Sequence, residues 1–364
     1  MMLALQGLPW MAMVAPCVLV TDGLAPAALS KLSEGGCSVV EQHFTPDELL
    51  AGALADYDAV IIRSATTLEA DAIALGCAGR LRVIGRAGVG VDNIAVQAAS
   101  TADCWVLNTP GASTASVVEL TLAHLLAAAR GLQLADYGLK SGLWLKGKIR
   151  MGDAGGPRLG HELAGKRLGL LGFGRAAQGV ARAASALGMS VSTTSRQPDA
   201  AIASAIGVEI EPTPAHLVAA CTHVAVLCAL TPETRGLVDK LMLSRMPHIG
   251  ADGTPCGAHL VNMARGGIVI EEDAAVALND GTLTTYATDV FEVEPPVPTN
   301  PLLRCEAFCG TPHIGGATHE AQARVGLQIV DVVLAVLNGR APADGVVSAP
   351  AGFRGQAVTR ESTS

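Results

Sequence analysis

Short apolar runs alternate with longer amphipathic segments along most of the chain. In its first third, five such runs are too short for helices and are rich in β-branched residues, so they predict β-strands. The segments between them are rich in Ala, Leu and Glu and have helical length. This alternation predicts βαβ units and therefore a parallel sheet. The five strands are predicted at Cys17–Thr21, Cys37–Glu41, Ala59–Ile62, Leu81–Gly85 and Cys104–Leu107.

A longer segment, Thr114–Arg130, predicts a helix whose apolar residues cover more than one face, which would allow it to contact both its own domain and a partner surface. A second alternating series starts at Arg167 and runs to about Gly310. The segment His319–Leu337 predicts a final helix that returns the chain toward the first domain. Strands of the second series are predicted at Arg167–Leu171, Val191–Thr194, Ala258–Met263, Leu283–Asp289 and Ala307–Gly310.

The two series predict an α/β protein with two Rossmann-like or flavodoxin-like domains, each built on a parallel sheet, and 364 residues suffice for about two domains. One predicted domain is discontinuous, residues 16–110 with 312–348, and the other is residues 111–311. Residues 1–15 and 349–364 are expected to be flexible extensions. The first of these lacks the basic residues of a secretory or mitochondrial leader, so we expect a cytoplasmic protein.

Composition excludes several classes of function. The net charge is -8 and no basic cluster occurs, so nucleic acid and anionic membranes are not expected partners. No run is long and apolar enough to span a membrane. The nine Cys are scattered without zinc-knuckle or redox spacing, which predicts reduced thiols and no metal site.

A glycine motif follows the predicted strand Arg167–Leu171. Gly172 permits a tight turn, Gly174 lets the backbone approach a pyrophosphate, and Ala177 keeps the next helix close to the sheet. The N-terminus of that helix, which we predict to extend to Leu187 with Gly188 as its cap, offers N–H groups and positive potential to an anion. In this strand–turn–helix context the motif predicts dinucleotide binding.

The residues after the next predicted strand bear on the choice between NAD and NADP. An acidic residue that binds the adenine ribose is typical at this place, but the chain has Ser195 and then Arg196. A hydroxyl and a guanidinium would accept a 2′-phosphate that a carboxylate would repel, so we expect NADP(H) to be preferred over NAD(H). The alternative is that Arg196 only stacks on adenine and that either cofactor binds.

Three side chains with complementary chemistry follow three predicted strands. Arg265, Glu294 and His313 each come after a strand end, and such ends converge on one crevice in an open α/β sheet. Arg binds a carboxylate through two parallel hydrogen bonds, and a His supported by a Glu transfers a proton near neutral pH. Together they suit redox chemistry on a 2-hydroxy or 2-oxo acid.

Several longer motifs strengthen this interpretation, and with them the chain resembles the D-isomer-specific 2-hydroxyacid dehydrogenases over about Cys17–Val347. The resemblance rests on the three catalytic segments and on five further stretches. These are Arg63-Ser64-Ala65-Thr66, Gly85–Asn93, Asn108-Thr109-Pro110, the segment around Asp289, and Thr318–Gln322.

The resemblance implies roles for individual residues. His313 would be the proton donor or acceptor, Glu294 would orient it and raise its pKa, and Arg265 would bind the substrate carboxylate and carbonyl oxygen in an interdomain cleft. The implied substrate-binding residues are Arg63, Arg86, Gly88, Val89, Gly90 and Arg265. The implied cofactor-binding residues are Val89, Gly172, Gly174, Arg175, Ala176, Ser195, Arg196, Cys228, Met263, Asp289, Gly315 and Gly316.

The resemblance also implies a phosphorylated substrate and an oligomer. Arg63 and Arg86 are candidates for a substrate phosphate, although both could make ion pairs alone. The helix Thr114–Arg130 and the segment through Trp144 are similar to the dimer arm of the family, so we expect a homodimer or a tetramer.

The chain departs from the family pattern at several places. Ser195 replaces the acidic cofactor residue, Ser113 stands where Asn is usual, and Ala229 replaces a Pro beside the nicotinamide. Insertions occur around Gly152–Pro157 and His248–Cys256, and the second is expected to alter a rim of the site. Allosteric control by serine through a C-terminal regulatory domain is not expected.

The implied activity is reversible hydride transfer between a nicotinamide cofactor and C2 of a 2-hydroxy acid. Within the family the residues are most similar to the enzymes that oxidise 3-phosphoglycerate to 3-phosphohydroxypyruvate for serine biosynthesis. Two alternatives stay open. Ser195 and Arg196 fit an NADPH-dependent glyoxylate or hydroxypyruvate reductase, although an unphosphorylated substrate has no need of Arg63. A cofactor-sensing interaction protein, similar to the C-terminal binding protein corepressors, would keep the same three catalytic residues.

Overall fold

A computed structural model describes residues 15–146 and 160–351 of the chain. The chain forms two compact units, residues 1–113 with 318–364, and residues 114–317. The boundaries predicted from the sequence lay a few residues earlier, after positions 110 and 311. The insertion Gly152–Pro157 and most of the two predicted extensions lie outside the described residues.

The first unit contains a sheet of six strands in the order β13-β5-β4-β3-β1-β2. All neighbouring pairs are parallel except β13 with β5. Its strands are β1 Cys17–Val20, β2 Ser38–Glu41, β3 Ala59–Ile62, β4 Val83–Arg86, β5 Trp105–Leu107 and β13 Val346–Ser348. Its helices are α1 Pro26–Glu34, α2 Pro46–Leu50, α3 Ala70–Ala78, α4 Val96–Thr101 and α12 His319–Leu337.

The second unit contains a parallel sheet of seven strands in the order β12-β11-β10-β9-β6-β7-β8. These strands are β6 Arg167–Leu171, β7 Ser190–Thr194, β8 Val208–Ile210, β9 His223–Val226, β10 His259–Asn262, β11 Thr285–Thr288 and β12 Phe308–Gly310. The helices are α5 Thr114–Arg130, α6 Leu132–Lys140, α7 Arg175–Ala186, α8 Ala200–Ala205, α9 Pro214–Ala220, α10 Lys240–Leu243 and α11 Glu271–Asp280, with a short 3₁₀ helix at Pro301–Arg304.

The predicted α/β class with mainly parallel sheets is confirmed. Helices α5 and α12 and strands β3 and β6 have the bounds expected from the sequence. Most other predicted strands are one to three residues shorter, mainly at the amino-terminal end, because an apolar run begins before the first ladder hydrogen bond. Strand β7 instead begins one residue earlier than predicted.

Small side chains allow the helix after the glycine motif to lie close on its sheet. The buried face of α7 consists of Ala177, Val180, Ala181 and Ala184. Gly179 faces α5, where an added methyl group would lie 2.6 Å from a methyl carbon of Val118. Because protein interiors are close-packed, this contact has no room for a larger residue. The position of α7 relative to β6 is thereby fixed, and with it the position of the glycine loop.

Within the described residues, no single helix is long and apolar enough to cross a membrane. Helices α5 and α6 reach that length and hydropathy only when they are taken together, and they meet at an angle of 69°.

The insertion at His248–Cys256 lies at the amino-terminal edge of the second sheet. It leads into the first residue of β10, and its Asp252 pairs with the buried Lys166, which precedes β6, at 2.6 Å. Arg265 follows the other end of β10. The expectation that this insertion alters a rim of the catalytic site is therefore wrong, since the two lie at opposite ends of the same strand.

Candidate active site

Arg265 is held by a turn that a single buried side chain organises. β10 ends at Asn262, whose Oδ1 accepts a hydrogen bond from the Ala264 N–H at 3.0 Å. Its Nδ2 donates to the carbonyl oxygen of Arg265 at 3.0 Å. A buried amide bound at both ends fixes the backbone that it bridges. The half-buried guanidinium of Arg265 thus projects from a rigid turn at the carboxyl end of the strand.

The segment after Arg265 makes backbone contact with the segment that carries the acid. A Cβ at Gly266 would lie 1.9 Å from the carbonyl oxygen of Phe291 and 2.4 Å from the amide nitrogen of Glu292. Since both partners are backbone atoms, no side-chain rotation would relieve such a clash. Glycine at position 266 is therefore what allows these two segments to approach.

Glu294 and His313 form a hydrogen-bonded pair. Glu294 Oε2 lies 2.7 Å from His313 Nδ1, while Oε1 accepts a hydrogen bond from the Phe291 N–H at 3.0 Å. Because an ionised carboxylate can only accept, Nδ1 carries the proton that is shared with Glu294. The nitrogen available for proton exchange with a ligand is therefore Nε2. The side chain of His313 is 46% exposed, which leaves it accessible from solvent.

The backbone of His313 is held in an uncommon conformation. Its φ is +52°, in the left-handed region that few non-glycine residues adopt. Such a conformation persists only where its surroundings stabilise it, and it often occurs at functional sites. The loop that imposes it is fixed by Asp289, as described below.

The pair shifts both titrations in the direction that acid–base chemistry needs. The hydrogen bond and charge of Glu294 raise the pKa of His313 above its usual value, although burial and the charge of Arg265 act against them. Burial alone would raise the pKa of Glu294, but hydrogen bonds from His313 and the Phe291 N–H, with the charges of His313 and Arg265, bring that pKa below its usual value. Glu294 therefore stays ionised while His313 exchanges its proton.

Asp289 anchors the loop that carries His313. This buried carboxylate follows β11 and accepts hydrogen bonds from the Thr311 hydroxyl at 2.6 Å, the Ile314 N–H at 2.8 Å and the Gly315 N–H at 2.7 Å. An added Cβ at Gly315 would lie 2.9 Å from Asp289 Oδ2 and 3.5 Å from the terminal methyl of Met263. Asp289, Met263 and Gly315, which the sequence assigned to the cofactor, therefore lie together beside the catalytic loop.

The glycine loop has the geometry expected of a pyrophosphate site. Gly172 has φ +106°, and a Cβ there would lie 2.8 Å from the backbone of Cys228. Gly174 caps α7, and a Cβ there would meet no atom within 4 Å. The backbone beside the helix N-terminus is thus open to a ligand on one side and tightly packed on the other. Arg175 and Ala176 begin the helix and present its first N–H groups.

The residues proposed to select the cofactor lie at the end of the neighbouring strand. The Gly172 N–H donates to the Thr194 carbonyl at 2.9 Å, so the glycine loop and the end of β7 lie next to one another. Ser195 is half-buried and Arg196 is exposed. The pKa of Glu233 is lowered mainly by hydrogen bonds from Thr231 and its own backbone, with a smaller contribution from the charge of Arg196. The guanidinium of Arg196 therefore lies near one carboxylate, with which a bound phosphate would compete.

The candidate substrate residues of the first unit lie at the carboxyl ends of adjacent strands. Arg86 ends β4 and pairs in register with Ile62, the residue before Arg63. Gly88, with φ +155°, leads into Val89, which is 47% exposed, and Gly90. The two arginines, the exposed loop and its glycines thus belong to the same edge of the first sheet.

Four positioning residues were not identified from the sequence. Asn262 and Thr311 hold the catalytic loops of the second unit. In the first, Asp22 accepts hydrogen bonds from the N–H groups of Arg63 at 2.6 Å and Thr66 at 3.1 Å. Asn93 donates to the carbonyl oxygens of the same two residues at 2.7 and 2.6 Å. A polar residue at the end of an otherwise apolar strand is the signal that Asn262 and Asp22 share, and it could have been used to find them.

A family comparison agrees with this geometry. The sequence model described as "D-isomer specific 2-hydroxyacid dehydrogenase, NAD binding domain" matches residues 122–315. These residues lie entirely in the second unit and include the glycine loop, Arg265, Glu294 and His313. The chain belongs to the D-isomer specific 2-hydroxyacid dehydrogenase family.

Individual proteins are similar to the chain in sequence or in structure. The chain is 38% identical to D-3-phosphoglycerate dehydrogenase of Methanocaldococcus jannaschii over 333 residues, which cover 92% of this chain and 59% of the relative. The crystal structure of the TT0316 protein from Thermus thermophilus has a TM-score of 0.78 and 33% identity, with coverage of 91% and 99%. An NADPH-dependent glyoxylate/hydroxypyruvate reductase from Sinorhizobium meliloti has a TM-score of 0.75 and 25% identity, with coverage of 91% and 97%. The chain spans about half the length of the curated relatives it matches, from 50% to 59%.

Proposed function

We propose that the chain catalyses reversible hydride transfer between a nicotinamide cofactor and C2 of a 2-hydroxy acid, with 3-phosphoglycerate and 3-phosphohydroxypyruvate as the substrate pair. The observation that carries the proposal is the hydrogen bond of 2.7 Å between Glu294 and His313. The segment of Glu294 also touches the segment of Arg265, because Gly266 lets the two backbones approach. The names of the curated relatives support the substrate, since the first of them are called D-3-phosphoglycerate dehydrogenase.

The roles of the three residues follow from their chemistry. In oxidation, Nε2 of His313 accepts the hydroxyl proton while the hydride leaves C2, so a C–O single bond becomes a carbonyl. The guanidinium of Arg265 binds the carboxylate and the developing carbonyl oxygen. Glu294 stabilises the imidazolium that forms. In reduction the protonated His313 returns the proton to the oxygen. The bound nicotinamide supplies the hydride acceptor or donor.

Replacement of Glu294 by Gln should move the pH profile toward acid. Oxidation needs neutral His313, so the kcat/KM for oxidation should rise as the pH passes the raised pKa of His313. Reduction needs protonated His313, so the kcat/KM for reduction should fall as the pH passes the same pKa. Removing the carboxylate removes the main cause that raises this pKa, while burial still lowers it. Both midpoints should therefore shift to lower pH, and at neutral pH reduction should lose more activity than oxidation. The measurement is kcat/KM against pH in both directions.

Glu292→Gln is the matched control. Glu292 lies two residues away on the same segment, and its carboxylate lies 3.9 Å from Arg235 instead of His313. Its profile should coincide with that of the unmodified chain. An unshifted midpoint in Glu294→Gln would contradict the assigned role of Glu294.

The glycine loop of the second unit has a shape that suits the pyrophosphate of a dinucleotide. Gly172 and Gly174 together form a turn that is closed toward Cys228 and open at the N-terminus of α7, where a pyrophosphate would accept backbone hydrogen bonds. We propose NADP(H) as the preferred cofactor, because β7 is followed by Ser195 and Arg196 and not by an acidic residue that would repel the 2′-phosphate.

The variant Ser195→Asp with Arg196→Gln should reverse the cofactor preference. The new carboxylate would bind the ribose hydroxyls of NAD(H) and repel a 2′-phosphate, and the lost guanidinium would weaken NADP(H) binding. We expect the ratio of kcat/KM values, NADP(H) over NAD(H), to fall at least tenfold, which corresponds to about 1.4 kcal/mol. Arg182→Gln, an exposed arginine on α7, is the control. An unchanged ratio would refute the assignment of Ser195 and Arg196.

A substrate panel tests the function itself. Steady-state kcat/KM should be measured with 3-phosphoglycerate in oxidation, and with phosphohydroxypyruvate, hydroxypyruvate and glyoxylate in reduction, each with both cofactors. We expect at least a tenfold advantage for the phosphorylated pair. Arg63→Gln should remove that advantage, whereas Arg80→Gln, which removes an exposed partner of Asp58, should keep it.

The same panel tests a second candidate function. Ser195 and Arg196 also favour a reductase of glyoxylate or hydroxypyruvate, and one structural relative is named as such an NADPH-dependent enzyme. Equal or better turnover of the unphosphorylated acids would assign the chain to that activity and leave Arg63 with a structural role.

We propose a homodimer or a larger oligomer. Large apolar side chains on α6 and just after it are exposed, among them Leu132 at 61%, Tyr137 at 73%, Leu139 at 61% and Trp144 at 75%. Apolar patches of this kind are typical of interfaces. Light scattering should give at least twice the mass of one chain, and Leu132→Glu with Leu139→Glu should lower it. A monomer at micromolar concentration would contradict the proposal.

A further inference from the structure

Three buried histidines lie together at the amino-terminal edge of the second sheet. His223 begins β9 and His259 begins β10, and the two residues pair directly in register. Their rings stack with centroids 4.6 Å apart and an angle of 22° between planes. His161, from the loop before β6, adds a third ring at 5.0 Å from His223 and 4.8 Å from His259. The prediction that the chain has no metal site rests on the spacing of its cysteines alone, and these three histidines are far apart in the sequence.

The ring nitrogens of the three histidines lie close together. One ring nitrogen from each histidine lies within 4.8 Å of the others. The Nε2 atoms of His161 and His223 are 2.9 Å apart. Two nitrogens bound to one Zn²⁺ at about 2.1 Å and a tetrahedral angle lie roughly 3.4 Å apart. The closest pair must therefore separate slightly and the widest must approach by somewhat more than an ångström.

Hydrogen bonds already orient all three rings, and the contact between His161 Nε2 and His223 Nε2 is one of them. His223 Nδ1 lies 3.0 Å from the Thr222 hydroxyl, so its other nitrogen faces the cluster. His259 Nδ1 lies 2.7 Å from the Thr285 hydroxyl, and its Nε2 lies 2.8 Å from the carbonyl oxygen of Cys256. Metal-binding histidines typically have one nitrogen on the metal and the other on such a partner. Because the rings of His223 and His259 are nearly parallel, and a metal binds in the plane of an imidazole, metal binding would also have to turn the His259 ring. That turn would give up at least one of the two hydrogen bonds of His259.

The donor set selects a class of metal. Three imidazoles suit Zn²⁺ and its neighbours Co²⁺ and Ni²⁺, whereas Mg²⁺ and Ca²⁺ need oxygen ligands. The nearby charged group Lys166 is 2% exposed and is paired with Asp252 at 2.6 Å, so its charge is compensated within the protein. The insertion His248–Cys256 supplies both Asp252 and the Cys256 carbonyl, and it therefore contributes to this cluster.

We propose that His161, His223 and His259 bind one divalent transition-metal ion, with Zn²⁺ as the best match, and that this ion is structural. It would join β9, β10 and the loop before β6 at the amino-terminal edge of the sheet. Arg265 follows the opposite end of β10, so the ion takes no part in hydride or proton transfer.

Co²⁺ titration of the chelator-treated full chain tests the proposal. We expect the visible absorption of Co²⁺ bound to nitrogen ligands, saturating at one equivalent and displaced by Zn²⁺. At a hundredfold excess over its Kd, Zn²⁺ should raise Tm by about 5 °C or more. The kcat measured with and without Zn²⁺ should be the same.

Variants locate the ion. His223→Asn and His259→Asn should lose the absorption and the Tm shift. His216→Asn, an exposed histidine on α9, and His313→Asn, in the catalytic loop, should keep both. Loss of the signal in His313→Asn with its retention in His223→Asn would assign the metal to the catalytic pair and overturn the proposal.

The unmodified chain alone also decides the question if a variant fails to fold. Absence of a saturable one-equivalent absorption would overturn the site, and a metal requirement for kcat would overturn its structural role. These readouts do not depend on which hydroxy acid the enzyme uses.

Discussion

Replacement of His313 by Asn should lower kcat by about 10²- to 10⁴-fold in both directions, because the proton donor and acceptor is lost while the rest of the site stays in place. Asn is the best probe here because His313 has φ +52°, and Asn adopts the left-handed region more easily than Ala. The KM for the hydroxy acid should change little, since its carboxylate is assigned to Arg265. The measurement is kcat and KM in both directions. The change in fluorescence of the reduced nicotinamide on binding checks that the cofactor still binds.

His216→Asn provides the control, as an exposed His→Asn change on α9. It should leave kcat and cofactor affinity unchanged. A kcat for His313→Asn within tenfold of the unmodified chain, with normal cofactor binding, would show that another group carries the proton.

Gly266→Ala should have the second large effect, on both stability and activity. Its methyl group would lie 1.9 Å from the Phe291 carbonyl oxygen, so the Arg265 and Glu294 segments must separate. Overpacking of this kind costs about 3 kcal/mol at the upper end of the usual range. A displacement of about 1 Å can lower the rate by about 10²-fold. We expect a lower free energy of unfolding, measured by urea denaturation, and a kcat/KM at least tenfold lower.

The neighbouring Gly267→Ala is the control for Gly266→Ala. A Cβ at Gly267 would lie 3.1 Å from the end of the Arg235 side chain, which can move away, and at ordinary contact distance, 3.9 Å, from Glu292 Oε1. Its φ of +78° adds about 1–2 kcal/mol of backbone strain for Ala. It should therefore lose stability but keep most of its activity. Equal activity losses in both variants would indicate a general loop effect instead of the predicted separation of segments.

Much of the fold could be predicted because local patterns determine it. The helix Thr114–Arg130 and the strand Arg167–Leu171 have the bounds expected from apolar periodicity alone. The antiparallel β13 was not predicted, because its three residues carry no distinct pattern and its pairing with β5 joins parts of the chain far apart in sequence. The same limit applies to strand ends, which depend on the partner strand.

The proximity of the three proposed catalytic residues could be predicted for a related reason, and the histidine cluster could not. Arg265, Glu294 and His313 each follow a strand end, where the topology of a parallel sheet brings side chains together. His223 and His259 meet only because β9 and β10 are adjacent in register, and His161 joins them from a loop. No spacing in the sequence encodes that adjacency. The insertion at His248–Cys256 was misplaced for the same reason, since its distance from Arg265 along the chain does not give the end of the strand at which it lies.

The discontinuous first unit has a consequence for protein synthesis. Its core includes Val325, Ile329 and Val333 of α12. Helix α12 packs closely on β4, since a Cβ added to Gly85 would lie 2.9 Å from a methyl carbon of Val333. The ribosome completes residues 1–113 long before α12 emerges, by roughly 10–45 s at about 5–20 residues per second. The contiguous second unit, residues 114–317, is complete first. One face of the first sheet is covered by helices of the amino-terminal segment itself, but we expect the face that packs on α12 to stay incomplete until the last helix is made. Exposed apolar surface of this kind favours aggregation and chaperone binding during that interval.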